Sequence, residues 1–185
     1  MMLIEKWTKL PYIWQKLVYK EWMLFIQCRF PIRTFLWDDS YGVDFLLCKT
    51  LGIETSEHEN DLIKLEELIA DGLQKITPQI LDEIFSMQFF VIPSEITFLS
   101  PLIYFTEVRV LDFHCQNESM ITDFFPLKGS TNVYVLDYAD YQIIDFDKFS
   151  NIRHFDNIIY VKEHGVPHEL EAIYSLLKSY NYDCE

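Results

Sequence analysis

Glycine and cysteine are both scarce in this chain of 185 residues, with five and four copies respectively. So few glycines leave no Gly-rich loop of the kind that cradles a phosphate group. The cysteines lie at positions 28, 48, 115 and 184, and no two of them form a C-x-x-C pair. This spacing is typical neither of a zinc site nor of a small disulfide-stabilised domain. We therefore expect reduced thiols, no metal and no cofactor.

Positive charge is also scarce, since 15 Lys and Arg face 29 Asp and Glu and the net charge is −14. A surface of this sign repels phosphate backbones, so no nucleic-acid partner is expected. It favours a basic protein partner through electrostatic steering. The plainer interpretation is that the acidity keeps an aromatic-rich protein soluble.

The chain has no long uninterrupted apolar run. The least charged stretch, residues 85–105, is broken by Pro93, Ser94 and Pro101, whereas a membrane-spanning helix needs about 20 apolar residues in succession. The first residues carry an acid, Glu5, and no apolar signal segment. We expect a cytoplasmic protein with no membrane partner.

Apolar residues make up half of the chain, which is enough for a substantial core. Pro11 opens a predicted helix in which Trp14, Leu17 and Val18 share one face. The apolar run at 22–26 fits either a continuation of that helix or a buried strand. The tryptophans at 7, 14 and 22 are spaced like core residues, and a ligand cage is the alternative.

A helical hairpin is predicted over about residues 57–86. Ser56 and Glu59 fit a capping box, leucines follow at helical spacing, and a Thr-Pro pair begins the second helix. The predicted organisation is a mainly helical region at 1–87 followed by a second region at 88–185. The two are either separate or one continuous domain.

The second region contains an internal sequence repeat with a period of 25 residues, which we call the echo. Residues 101–113 align without a gap on residues 126–138, and a weaker third copy begins at 151. A fixed period in this range is typical of a stacked solenoid, here over residues 94–166. In each unit three apolar anchors precede a strand-forming run. The anchors are Ile96, Leu99 and Leu102, then Ile121, Phe124 and Leu127, then Phe146, Phe149 and Ile152, and the runs are 108–113, 133–138 and 158–163.

These units resemble degenerate leucine-rich repeats. The family's Leu-x-x-Leu-x-Leu pattern maps onto Val108, Leu111 and Phe113, onto Val133, Leu136 and Tyr138, and onto Ile158, Val161 and Glu163. The family's usual turn Asn is replaced by Gln116, Tyr141 and Val166, and Glu163 stands where an inward apolar residue belongs. The resemblance implies an α/β fold with parallel strands in a short solenoid, closed by a C-terminal helix that begins at Pro167. A duplicated β-α motif in an ordinary sheet is the alternative.

If the units stack, the outward strand positions form columns on a concave face. Asp112 and Asp137 then lie about 4.8 Å apart on neighbouring strands and offer a docking site for a partner's Lys or Arg. The other interpretation is two solvated carboxylates. The predicted partner-binding residues are Val110, Asp112, His114, Val135, Asp137, Tyr160 and Lys162.

Catalytic patterns are weak in this chain. His164 and His168 lie among carboxylates in the run 163–169, but Gly165 and Pro167 interrupt any helix that would align them as metal ligands. Neighbouring residues of a strand point to opposite faces, so His114 does not activate the adjacent cysteine. No catalytic or metal residues are assigned. A small α/β enzyme or accessory subunit with a histidine-containing site is the alternative function.

The leading hypothesis is a non-enzymatic protein-interaction module. A small acidic chain of this kind is similar in general character to bacterial immunity proteins, which bind and neutralise a toxin domain. That resemblance implies a basic protein partner and rapid, salt-sensitive association.

Overall fold

A computed structural model describes residues 2–32, 35, 42–53, 58–113, 123, 125–128, 130, 133–136, 158–161, 171–173 and 175. These residues form a mixed α/β protein. Its two compact units are Met1–Ile84 together with Tyr182–Glu185, and Phe85–Asn181. None of the described helices combines the length and the hydropathy needed to cross a membrane.

The first unit is helical. Its described helices are α1 (Leu3–Lys9), α2 (Tyr12–Glu21), α3 (Val43–Thr50), α4 (His58–Gln74) and α5 (Pro78–Phe85), the last residue of which belongs to the second unit. The helices α4 and α5 confirm the two helices of the predicted hairpin. Its predicted cap at Ser56 lies outside the described residues.

A π-helical turn, Trp22–Gln27, follows α2 without a break. The run at 22–26 is therefore helical, and the strand alternative is wrong. The first four residues of this turn are all buried, so their uniform hydrophobicity hides the helical period. This explains why the sequence pattern did not separate a helix from a buried strand.

The core of the first unit confirms the predicted face of α2. Trp14 and Val18 are fully buried, and Leu17 is 8% exposed. Trp7 and Trp22 are also buried, as the core interpretation of the spaced tryptophans predicts. The indole Nε1 of Trp22 donates a hydrogen bond of 2.8 Å to Oε2 of Glu83, which ties the π-helical turn to α5.

Ion pairs link α2 to α3 and α4. Lys20 on α2 lies 2.9 Å from Asp44 Oδ2 on α3 and 3.3 Å from Glu66 Oε1 on α4, and Lys16 also pairs with Glu66. Burial alone would lower the pKa of Lys20, but the charges and hydrogen bonds of Asp44 and Glu66 outweigh it and raise that pKa. Burial would likewise raise the pKa of Glu66, but Lys16 and Lys20 outweigh it and lower that pKa.

The second unit contains a parallel sheet in which consecutive strands are neighbours. The strands are β1 (Phe89–Val91), β2 (Val110–Asp112), β3 (Val133–Leu136) and β4 (Ile158–Val161), in the order β1-β2-β3-β4. Residues paired across neighbouring strands are 21, 24 and 25 positions apart along the chain. The three predicted strand runs each contain one of these strands.

Two short 3₁₀ helices lie on the return paths between strands. The first return helix is Ser100–Tyr104, between β1 and β2, and the second is Phe125–Leu127, between β2 and β3. The two helices contact each other. The anchors Ile96, Leu99, Leu102 and Leu127 are at most 1% exposed, as predicted, and the other five anchors lie outside the described residues.

The register between β2 and β3 differs by one residue from the 25-residue echo. Val110 lies opposite Tyr134, and Asp112 lies opposite Leu136. The expected pairing of Val110 with Val135, and of Asp112 with Asp137, is therefore wrong. Between β3 and β4 the full period returns, with Val135 opposite Tyr160. A shift of one residue brings side chains of opposite faces into line, so the predicted columns do not continue across β2 and β3.

Part of a helix is described near the end of the chain. Residues 171–173 and 175 are helical, and Ile173 is fully buried. These residues fall within the predicted C-terminal helix. Its predicted beginning at Pro167 lies outside the described residues.

Candidate interaction surface

The strand residues predicted to face a partner are buried. Val110, Asp112 and Val135 are each 0% exposed. The expectation that they point outward is therefore wrong, and they are not available to a partner in this structure.

Both faces of the sheet are covered at β1 and β2. Phe89 and Phe90, which are neighbours in β1 and so point to opposite faces, are both 0% exposed. Parallel strands covered on both faces are typically near-continuous apolar runs, and Asp112 is the exception. Its register neighbours are Val91 in β1 and Leu136 in β3. The carboxylate was predicted on an open face, and it belongs instead to the interior.

The structure does not describe the side chains of the other predicted partner-binding residues. His114, Asp137 and Lys162 lie outside the described residues, and of Tyr160 only the backbone pairing is described. The histidine cluster at 163–169 also lies outside them. Within the part of the chain that the structure describes, no group of three or more His, Cys, Asp or Glu side chains is arranged to hold a metal ion.

Exposed apolar side chains occur on the return helices instead. Ile103 on the first return helix is 63% exposed, and Phe125 on the second is 59% exposed. On the same helices Leu102 and Leu127 are buried. A 3₁₀ helix has about three residues per turn, so successive residues point in different directions, and Ile103 and Phe125 are exposed on helices that bury Leu102 and Leu127. We call Ile103 and Phe125, on their two contacting helices, the return surface.

Two charged residues interact with Phe125. The backbone N–H of Phe125 donates a hydrogen bond of 2.8 Å to Oδ1 of the exposed Asp123. The ammonium of Lys128 lies 5.5 Å from the centroid of the Phe125 ring, within the range of a cation–π contact. At the return surface, Phe125 therefore has a carboxylate bound to its backbone N–H and a cation near its ring.

A smaller exposed area lies at the β3–β4 side of the sheet. Tyr134 is half-buried and Ile159 is 36% exposed, and the two are opposite each other in the register. Among the strand residues whose burial the structure describes, exposed or half-buried side chains thus occur in β3 and β4 and not in β1 or β2. This arrangement differs from the predicted concave face, which began at β2.

Sequence reasoning missed the return surface because Ile103 lies within a run that has no polar side chain. In the run from Leu102 to Phe105 every side chain is hydrophobic or aromatic, so composition does not mark Ile103 as the outward one. The available signal was the echo itself. It aligns Leu102 with Leu127 as equivalent inward anchors, which leaves their neighbours as candidates for exposure.

Aromatic and apolar side chains that stand out beside charged groups are typical of the residues that carry most of the energy in a protein interface. Comparison of the chain with family models, with curated proteins and with solved structures gives no match.

Proposed function

We propose that this chain is a non-enzymatic protein-interaction module which binds a basic protein through the return surface. The observation that carries the proposal is the exposure of Ile103 and Phe125 on two contacting return helices. Large apolar side chains that are exposed on contacting helices fit a protein-binding site. The proposed site therefore lies on the return helices and not on the strand positions predicted from the sequence. It remains a protein-binding site.

The proposed framework is a short leucine-rich-repeat-like stack. Consecutive parallel strands with 3₁₀ returns, and strand spacings of 21, 24 and 25 residues, support it. Leucine-rich repeats have periods of 20–29 residues, with a strand and a helical or 3₁₀ segment in each. Such repeats commonly serve as binding surfaces.

The proposed partner is basic because the chain carries a net charge of −14. Complementary charge raises the association rate more than it raises the final affinity. The most specific form of the proposal is a cytoplasmic immunity-type protein that neutralises a toxin or effector. In that role, fast capture of a basic toxin domain is the property that an acidic surface would supply.

The test is capture of partners from the native host with the tagged full-length chain and two variants. The first variant, Ile103→Ser/Phe125→Ser, removes the return surface. The second, Ile63→Ser, alters a side chain of α4 that is 57% exposed and is the matched control. We expect one stoichiometric basic protein with the wild type and the control, and at least about a tenfold weaker interaction with the double variant.

Salt adds a second measurement to this test. The association rate with the captured protein should fall steeply between low and physiological salt. The proposal is wrong if the double variant binds as the wild type does, or if the captured partner is acidic or neutral. Circular dichroism of each variant confirms that the fold is retained, as expected for substitutions at exposed positions.

A further inference from the structure

The two return helices differ in charge. The echo aligns Ile103 of the first return helix with Lys128, which directly follows the second. Both side chains are exposed, and so is Asp123, two residues before the second helix. The exposed apolar position of the first helix thus corresponds to a charged position at the second. A partner segment that covers the second helix therefore meets charged groups as well as the ring of Phe125.

The ring of Phe125 already accommodates a positive charge. The ammonium of Lys128 lies 5.5 Å from the ring centroid, within the range of about 6 Å over which the face of an aromatic ring attracts a cation. Phe125 is nevertheless 59% exposed, so Lys128 leaves most of the residue in contact with solvent. The face of this ring is therefore a cation-binding position that a partner can reach.

Asp123 adds a negative charge next to the same residue. Its Oδ1 accepts a hydrogen bond of 2.8 Å from the backbone N–H of Phe125, which holds the carboxylate beside the residue that carries the ring. The two oxygens of a carboxylate offer about four acceptor sites, and Asp123 is exposed. The carboxylate can therefore accept further hydrogen bonds from a donor on the solvent side.

Arginine is the side chain that best matches an aromatic ring with a carboxylate beside it. Its planar guanidinium stacks on the ring, while its N–H groups donate hydrogen bonds to the carboxylate. An ammonium is more strongly hydrated than a guanidinium and is carried on a flexible stem. The exposed Lys128 therefore holds the ring less firmly than the arginine of a partner would, and it can be displaced.

We propose that the return surface recognises its partner through an arginine, whose guanidinium stacks on Phe125 in place of Lys128 and pairs with Asp123. This inference rests on the proposed function, because it names the group by which the basic partner is held. Lys128 covers the ring in the free protein and so competes with the arginine. Ile103, on the contacting return helix, contributes apolar area to the same interface.

An apolar contact alone would respond differently to substitution. If Phe125 supplied only apolar area, leucine would replace it and the charge of Lys128 would not matter. An arginine contact requires the face of the ring, which leucine lacks, and is opposed by the neighbouring lysine. Phe125→Leu and Lys128→Gln should therefore change the affinity in opposite directions.

The test begins with a phage-displayed library of random peptides, selected on the tagged full-length chain. Counter-selection on Ile103→Ser/Phe125→Ser removes the peptides that bind elsewhere on the acidic surface. We expect the remaining peptides to share an arginine. Replacement of this arginine by citrulline, which keeps the shape and removes the charge, should weaken binding at least about tenfold.

Single variants of the chain then locate the contact with one selected peptide. We expect at least about fivefold weaker binding to Phe125→Leu and to Asp123→Asn, which keeps an acceptor for the N–H of Phe125. Lys128→Gln should bind about threefold more tightly. The matched control is Lys75→Gln, which removes the same charge from α4 at a side chain that is 71% exposed. It should leave the affinity unchanged.

The proposal is overturned if no peptide survives the counter-selection, if the surviving peptides share no arginine, or if Phe125→Leu binds as tightly as the wild type. Weaker binding to Lys128→Gln would also overturn it, because the lysine would then be part of the contact. The proposed function fails separately, when the native partner binds Ile103→Ser/Phe125→Ser as it binds the wild type. A native partner lost by that variant but retained by Phe125→Leu overturns only the arginine contact.

Discussion

Gly72 on α4 lies against the phenol ring of Tyr19 on α2. A Cβ built at position 72 would be 2.6 Å from Cζ and 2.8 Å from Cε1 of that ring, well inside van der Waals contact. Tyr19 is buried, and its ring centroid lies 5.4 Å from that of Trp22. Burial, with a smaller contribution from Asp71, raises the pKa of Tyr19 against an opposing effect of Lys75. The absence of a side chain at position 72 therefore allows α2 and α4 to pack closely.

The first prediction is that Gly72→Ala destabilises the protein. In an ordinary helix this change stabilises by about 0.5–1 kcal/mol, whereas overpacking against Tyr19 should cost about 1–3 kcal/mol. Urea denaturation measures the change in the free energy of unfolding, and a loss of stability indicates that the added Cβ is too close to Tyr19. In a Tyr19→Ala background the same substitution should become neutral or stabilising, and an unchanged cost there would contradict the contact.

Gly52→Ala provides a comparison with a different cause. Gly52 has a φ of +66°, and a Cβ added there would meet no atom within 4 Å. Its replacement should cost about 1 kcal/mol through backbone strain alone. That cost should not depend on the residue at position 19.

The second prediction concerns Lys20, whose side chain is 13% exposed. Lys20→Met keeps the aliphatic stem and removes the charge shared with Asp44 and Glu66. Because these carboxylates are 43% and 44% exposed, solvent screens the pairs and a loss of about 1 kcal/mol is expected at neutral pH. Lys75→Met, at a pair with Asp71 that is open to solvent, should change stability by less than about 0.5 kcal/mol.

The stability difference between the wild type and Lys20→Met depends on pH, because the pKa values of Glu66 and Lys20 differ between the folded and unfolded states. The pKa of Glu66 is lowered in the folded state, so its contribution is present above the unfolded value and is lost as pH falls through the folded one. The pKa of Lys20 is raised, so its contribution is present below the unfolded value and is lost as pH rises through the folded one. The gap between wild type and Lys20→Met should thus shrink below about pH 4 and above about pH 10.5. A constant gap would show that the lost stability is not ionic.

The third prediction is that Glu83→Ala costs about 1–3 kcal/mol. The substitution removes the acceptor for the buried Trp22 indole N–H, and a buried donor left without its partner carries a desolvation cost of that size. Glu83→Gln keeps an acceptor oxygen and should cost less than about 1 kcal/mol. Chemical denaturation followed by tryptophan fluorescence measures both. Equal effects of the two variants would show that charge, and not the hydrogen bond, is what matters.

The fourth prediction is that Asp112→Lys disrupts the second unit. Asp112 is fully buried in β2 beside Val91 and Leu136, so a lysine there places a larger side chain of opposite charge in the interior. The expected loss is about 3–5 kcal/mol. Asp112→Asn keeps the shape and should cost less. Thermal unfolding measures both, and wild-type stability of Asp112→Lys would show that position 112 faces solvent.

Local pattern was sufficient for most of the helices and strands. Capping residues and helical spacing predicted the helices α4 and α5. The echo predicted three strand-forming runs, and β2, β3 and β4 lie within them. These features depend on residues near one another in sequence. The run at 22–26 could not be assigned in the same way, because burial of all sides of the π-helical turn removed the polar positions that would show its period.

The expectation that Val110, Asp112 and Val135 are exposed was wrong for a physical reason. Alternation along a strand tells which residues share a face, but not whether another layer covers that face. At β2 both faces are covered. The carboxylate at position 112 did not indicate this, because charged residues are usually exposed.

By itself, the sequence determined the acidic charge, the order of helices before strands and the repeated apolar anchors, since each is a property of composition or of short-range spacing. Only the tertiary structure decided the register of β2 on β3, in which Val110 meets Tyr134. It also decided that Ile103 and Phe125 stand exposed while Asp112 is buried. The reason is that register and exposure depend on backbone hydrogen bonds and covering layers contributed by residues distant in the chain, which no local pattern encodes.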